Sequence, residues 1–332
     1  MYSIASDVWY LEQARGVWRH IRISGSVCGR DQVRFRDMDM EGGCYWTTRP
    51  GEEQINAVSS GLFAELSVRL ALIDIDIRSD NRQQDGGGDV KSPQPTHPHA
   101  GGLLSRFKNA AFGGSNSGSR SSGHQQRPVT TTDCLEAARR SLGWILRCRY
   151  RNDDAVVLDG FLTQKDVCND WTFTYTTGVA IGICALMYQA LPDEDEYIML
   201  ACHMANKAMR RQGWIDQQTG VVAAEGEFGK GKHDPFENND SIGFKSVLVR
   251  QLCTLYNVIR TVRAGAKHPL AKETADLIQT CIKVNFESQV HRNTNGIGQY
   301  GPWWPGPFES PTSHSQMAML DVMAAIELVT RK

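Results

Sequence analysis

Three short segments of the chain set aromatic rings beside polar side chains, glycines and prolines. The first is Gly42-Gly43-Cys44-Tyr45-Trp46, followed by Asn56. The second is Asp170-Trp171-Thr172-Phe173-Thr174-Tyr175. The third runs from Tyr300 to Phe308 and carries Trp303 and Trp304 between Gly301-Pro302 and Pro305-Gly306-Pro307. A flat ring with a polar edge suits the apolar face of a sugar, and rings placed on loops, off any apolar stripe, have little packing reason to be there. For any one ring taken alone, anchoring a loop beneath a helix end is an equal reading.

Cleaving a glycosidic bond takes two carboxylates on either side of it, roughly 5–5.5 Å apart for retention or 6.5–9.5 Å for inversion. The loop carboxylates that could serve are Asp153, Asp154, Asp159, Asp170, Glu225, Glu227, Asp240 and Glu309. Asp153-Asp154 is an adjacent acidic pair outside the helical run from Asp193 to Glu196, and it reads best as a solvated turn with Arg151 as charge partner. Other chemistries lose ground. The glycines near Gly226 lack the spacing and the preceding strand of a phosphate loop, and no Gly-x-Ser-x-Gly elbow is present.

The elements that must position these residues are helical almost throughout. Leu11, Ala14, Val17, Trp18 and Ile21 recur at the spacing of one helix face, as do Ile55, Val58, Leu62, Leu66 and Leu70, and then Leu135, Ala138, Leu142 and Ile145. From Trp171 to Leu191 apolar residues surround the axis, which predicts a helix buried on most sides. Ile198, Ala201, Ala205 and Ala208 line one face of its neighbour. Further stripes predict helices near 241–261, 271–289 and 314–330. Consecutive helix pairs joined by Gly- and Pro-bearing loops predict an all-α stack of hairpins. Residues 80–130, rich in Gly, Ser, Pro, Gln and His, interrupt the pattern and read as a disordered surface insertion. Its His97, His99 and His124 could form a loose metal site, but a solvated loop is the better reading.

Composition narrows the partners. The 332 residues are 41% hydrophobic, and 36 Lys+Arg against 37 Asp+Glu leave a net charge of -1, so no broad basic surface is offered to nucleic acid or anionic membrane. No apolar run approaches the roughly 18 residues that span a bilayer, and the start at Met1 shows no basic segment followed by an apolar one, so no signal peptide is read. The nine cysteines show no Cys-x-x-Cys spacing, so zinc is not expected; Cys184, Cys202, Cys253 and Cys281 fall on apolar helical positions as small buried side chains.

Taken in order, four segments resemble glycoside hydrolase family 76, the fungal and bacterial endo-α-1,6-mannanases and their fungal cell-wall relatives. They are Gly42 to Trp46 with Gln54 to Phe63, Trp171 to Gly182, Phe244-Lys245 to Arg250, and Trp304-Pro305-Gly306-Pro307-Phe308 with Gln316 and Leu320-Asp321. The resemblance implies an (α/α)6 toroid of helical hairpins around a sugar cleft, with residues 1–332 as one such domain, and retaining hydrolysis or transglycosylation of mannan or related cell-wall glycans. It implies a catalytic pair of adjacent aspartates upstream of the segment resembling Tyr10 to Ala14. The chain reaches that segment directly from Met1, so no position here matches the pair, and the toroid is expected to be incomplete at its N-terminus. Thr176-Thr177 stand where the family has Asn-Gln, and Lys245-Ser246 where it has Lys-Gly.

The expected cleft residues are Trp46, Asn56, Tyr175, Phe244, Lys245, Trp303 and Trp304, the rings as stacking platforms and the polar groups as hydroxyl partners. Phe244 could equally be core, Asn56 a helix cap and Lys245 a surface charge. No cofactor or metal is expected. The expected partner is a mannan oligosaccharide bound by a monomer, secreted or at the cell surface if the chain is family-like. The alternative is a glycan-binding or scaffold protein that keeps the toroid without the chemistry.

Overall fold

The computed structural model describes residues 7–85, 128–223, 225, 240–262 and 268–331, with the side chains of 80–85 left aside. The eight helices among the described residues are α1 (Val8–Ile23), α2 (Ala57–Asp85), α3 (Thr131–Trp144), α4 (Thr174–Ala190), α5 (Asp195–Ala208), α6 (Asp240–Thr261), α7 (Pro269–His291) and α8 (Ser313–Thr330). Backbone contacts gather Met1–Ile75 with Val129–Lys332 into one unit and Asp76–Pro128 into a second. The described part of the second unit is the final stretch of α2 and Pro128. Most of the expected insertion, including His97, His99 and His124, lies outside the described residues, as do Glu227 and the glycines near Gly226.

In the first unit α4 packs against both α5 and α6, and α8 packs against both α6 and α7. Trp18 joins α1 to α2, its indole N–H donating to Ser67 Oγ at 2.8 Å and its ring stacking on Phe63 at 6.2 Å. Gly61 brings α2 against Val179 of α4, and Gly178 lets α4 approach the backbone of Leu248 on α6 so closely that a Cβ would lie 2.9 Å from Leu248 Cα. Arg250 of α6 pairs with Asp321 of α8 at 3.0 Å. The expectation that α4 would be buried on most sides holds, since every residue from Thr176 to Tyr188 is buried. This is the all-α hairpin architecture of the expected toroid. No helix among the described residues is long and apolar enough to cross a membrane.

Local signals explain where the helices begin. Asp7 accepts from Trp9 N at the start of α1, and Thr130 with Asp133, and Thr312 with Ser315, form reciprocal capping boxes on α3 and α8. Pro269 opens α7, where its missing N–H costs nothing. Phe173 gives α4 no side-chain cap. Its first N–H, that of Thr174, is served from a distant part of the chain.

Short strands stitch the helix ends together. β1 (Arg34–Phe35) pairs with β2 (Met38–Asp39), and β5 (Tyr150–Arg151) with β6 (Val156–Val157). A four-stranded antiparallel sheet runs in the order β3 (Cys44–Thr47), β4 (Gln54–Asn56), β7 (Gly160–Leu162), β8 (Val167–Asn169). Its register sets Gln54 opposite Leu162, Asn56 opposite Gly160, and Gly160 opposite Asn169. Gly160 is required there, because a Cβ would lie 2.5 Å from Ile55 O. The sheet brings the start of α2 and the approach to α4 to one end of the helical stack.

Candidate functional site

A cleft of about 970 Å³ opens at that end. One wall is the sheet, with Trp46, Asn56, Asp159, Leu162 and Asn169; the other is formed by the starts of α4, α6 and α8, with Tyr175, Phe244 and His314. Trp46 and Trp171 stand at its rim with 63% and 51% of their surface exposed. Deeper in, Phe173, Tyr175 and Phe244 make one aromatic wall. Phe173 stacks on Tyr175 at 5.4 Å, and Phe244 meets Tyr175 edge-on at 4.4 Å. Burial, with Asp159 and Glu225 nearby, pushes the Tyr175 hydroxyl well above its ordinary range, so it stays a neutral donor.

Of the seven expected residues, Trp46, Asn56, Tyr175 and Phe244 line this cleft together. Asn56 serves two ends at once: its Oδ1 caps α2 by accepting from Ser59 N at 3.0 Å, while the residue borders the cleft. Lys245, Trp303 and Trp304 do not line it. Lys245 is neither a surface charge nor a hydroxyl partner; it is buried behind Phe244, donating to Pro302 O at 3.2 Å with its ammonium 5.6 Å from the Trp304 ring centroid. Trp304 is fully buried and cannot act as a platform, and Trp303 is half-buried away from the cleft. The reason lies in α7. Ser288 Oγ donates to Trp304 O and Asn293 Nδ2 to Gly301 O, pulling the loop onto the helix end so that Trp304 enters the core.

Behind the aromatic wall lies a buried acid and base. Glu225 caps α4, accepting from Thr174 N at 2.7 Å and from Thr174 Oγ1 at 2.6 Å. Desolvation pushes its carboxyl up to about 7 against these bonds and the attraction of Lys245, and desolvation likewise brings Lys245 down to about 8. This pair fixes the residues directly before Tyr175 and after Phe244.

One carboxylate that the cleft presents is Asp159, one of the eight loop candidates. It is 5% exposed, and its Oδ2 accepts from Asn169 Nδ2 at 2.7 Å. Its Oδ1 has no hydrogen-bond partner. Desolvation raises its carboxyl to about 6, with Arg149 holding the rise in check. The backbone of Asp159 ties three parts of the wall: its N–H donates to Trp171 O at 3.0 Å and its C=O accepts from Ala57 N at 2.7 Å. Asp240 also borders the cleft. Asp154 pairs with Arg151, as its turn position predicts, and with Arg211 at 3.5 Å; Asp170 pairs with Arg149 at 2.8 Å. Among the described residues no group of three or more His, Cys, Asp or Glu is placed to hold a metal ion.

The site combines stacking rings with hydrogen-bonding groups. It has two exposed indoles, an aromatic wall, a neutral phenol, an amide and a largely buried carboxylate, and Trp171 and Asp159 join the four expected residues in forming it. The sequence marked Trp171 by its place in the second aromatic segment, and Asp159 by nothing beyond its loop position.

Solved structures share this architecture. The α-1,6-mannanase of Salegentibacter sp. HEL1_6 superposes with a TM-score of 0.65 at 20% identity, covering 99% of this chain and 72% of its own. An inactive variant of that enzyme, with two consecutive aspartates replaced by asparagine, is in complex with α-1,6-mannotriose and gives a TM-score of 0.66 at 19% identity, with the same coverage of 99% and 72%. Dfg5 of Chaetomium thermophilum, in complex with glucosamine, gives 0.54 at 15% identity, covering 95% of this chain and 60% of its own. No curated protein matches the chain in sequence. The sequence profile of glycosyl hydrolase family 76 matches residues 129–332, which hold α3 to α8 and most of the cleft wall. With well over half its length matched, the chain belongs to glycosyl hydrolase family 76.

Proposed function

We propose that the protein is a mannan-directed member of its family whose cleft takes an α-1,6-linked manno-oligosaccharide, drawn from cell-wall glycan outside the cell and bound by a monomer. The observation that carries this reading is the pairing of two exposed rim indoles, Trp46 and Trp171, with a carboxylate, Asp159, set into the cleft wall between them and the aromatic flank. Indole faces take the apolar faces of sugars, and an ionised carboxylate accepts from sugar hydroxyls more strongly than a neutral oxygen would. The Phe173, Tyr175 and Phe244 wall supplies a dry flank and one further donor. Catalysis by the family's route needs a second acid beside the glycosidic bond. The adjacent pair Asp153-Asp154 does not supply it, because Asp154 is engaged by Arg151 and Arg211 and neither residue borders the cleft.

Calorimetric titration with α-1,6-mannotriose, alongside a reducing-end assay on α-1,6-linked mannan, tests the reading. Saturable binding lost on replacement of both rim tryptophans supports it, and no binding by a folded chain overturns it. Release of reducing ends assigns glycosidase action to this chain, whereas binding without release makes it a glycan-binding member.

A further inference from the structure

We propose that Arg149 is a positioning residue, one that locks Asp159 and the Asn169–Trp171 rim into a single rigid contact surface and sets the charge that Asp159 presents to a bound glycan. The inference rests on the glycan reading of the cleft and assigns the means by which that site is held.

Arg149 ends the π turn Ile145–Arg149 that continues α3, and only 3% of it is exposed. Its guanidinium lies over the Phe161 ring at 4.4 Å, a placement that suits Arg and not a point-charge ammonium. From there Nη2 donates to Asn169 O at 2.7 Å and to Asp170 Oδ1 at 2.8 Å. Asn169 in turn donates from Nδ2 to Asp159 Oδ2 at 2.7 Å and accepts at Oδ1 from Trp171 N at 3.3 Å. Asn169 therefore stands between the cation and the carboxylate, with its backbone on one and its amide on the other. The backbone closes the loop, since Arg149 O accepts from Leu158 N at 2.9 Å, the residue before Asp159.

A buried cation of this kind has a cost that the fold need not bear for stability alone, because a hydrophobic replacement of a buried ion group is often neutral or better. Here both side-chain hydrogen bonds of Arg149 lead to the rim segment Asn169–Asp170. The titratable and charged groups around Asp159 are Arg149 itself, Asp170 on the rim, Tyr175 of α4 with Glu225 behind it, and Asp240 of α6 and His314 of α8 at the cleft. Arg149 is the one that favours the carboxylate form of Asp159, and Asp170 partly spends that cation's field.

The test compares wild type with Arg149→Met, Arg149→Lys and Asp170→Asn. The protein is labelled with 13C at the aspartate carboxyls, and the Asp159 resonance is assigned by its absence in Asp159→Asn. Without ligand, the Asp159 midpoint is expected near pH 6 in wild type. It should rise by about one pH unit or more in Arg149→Met, fall in Asp170→Asn, and stay near wild type in Arg149→Lys. Should Arg149→Met fail to fold, the exposed Asp170→Asn change still reads the same field with opposite sign. A midpoint unmoved in both variants overturns the proposal. Affinity for α-1,6-mannotriose, measured over the same pH range, is expected to fall with Asp159 protonation and to follow each midpoint. A purely packing role would weaken binding without displacing its pH profile, and that result also overturns the proposal. Midpoints that move as expected in a wild type that binds no mannotriose leave Arg149's hold on Asp159 standing and overturn the glycan reading instead.

Discussion

Replacing Asp159 with Asn is expected to exchange glycan affinity for stability. Burial lifts the carboxyl from its ordinary 3.8 to about 6 even with Arg149 close by. The fold therefore prefers the protonated form: the contribution of Asp159 is fully present below pH 3.8 and is lost as pH rises through about 6. At about 1.4 kcal/mol per pH unit, the ionised side chain costs the native state about 3 kcal/mol at neutral pH. Asparagine keeps the shape and can still accept from Asn169 Nδ2, and it carries no charge to desolvate. It also leaves Arg149 with Asp170 as its remaining acid partner, which returns part of the gain. Asp159→Asn should thus be more stable than wild type by about 1–3 kcal/mol at about pH 7.5, a rise of a few degrees in Tm. The advantage should shrink steadily toward about pH 4. Urea melts followed by circular dichroism across that range, with mannotriose titrations in the same buffers, measure both sides. An advantage that is absent at about pH 7.5, or equal at every pH, refutes the buried-ion argument. Unchanged affinity in the variant refutes a role for the Asp159 charge in binding.

The two kinds of tryptophan should separate cleanly. Trp46→Ala and Trp171→Ala should each weaken mannotriose binding roughly tenfold with Tm nearly unchanged, because both rings are exposed; Trp304→Ala, with its ring fully buried, should instead lose about 3–5 kcal/mol in a urea melt. Lys245→Met strands Glu225 in the core and should cost about 3–5 kcal/mol at about pH 8, while the double change Glu225→Gln with Lys245→Met should recover most of it. A double change no better than the single one would show that the two groups do not share one field. Gly178→Ala forces a Cβ against the Leu248 backbone and should destabilise by about 1–3 kcal/mol, visible as a lower urea midpoint; an unchanged midpoint would show that α4 and α6 can move apart freely.

What was legible in the sequence, and what was not, follows the range of the interactions that place each residue. Helices come from spacing within one segment, so the stripes at 241–261, 271–289 and 314–330 anticipated α6, α7 and α8 to within a residue or two at each end. The sheet had no such signal. Its strands are at most four residues long, too short to show alternation, and its register sets Gln54 against Leu162 across the whole of α2 and α3. The fate of the third aromatic segment was likewise decided elsewhere. Trp303 and Trp304 sit among glycines and prolines as rim residues would, but Ser288 on α7 and Asn293 just beyond its end draw the loop inward, and no feature of the loop itself reports that.

The same reasoning explains why Asp159 was one candidate in eight. A carboxylate becomes chemically distinct through its surroundings, and here those are the register that places Gly160 beside Asn56 and Asn169, the α2 N–H that Asp159 O receives, and the guanidinium at the end of the π turn after α3. Each lies on a separate stretch of chain. Asp153, Asp154 and Asp170 have the same side chain and loop setting, yet each stays solvated or pairs with a nearby arginine, and none lines the cleft. The difference between a site carboxylate and a surface one is thus made by the sheet. Any substitution that slips the Gln54–Asn56 strand against Gly160–Leu162 should remove the distinctive titration of Asp159 without touching the residue itself. Gly160→Ala, whose Cβ would press on Ile55 O, is the direct case, and an Asp159 midpoint that stayed near 6 in that variant would show that the register does not control it.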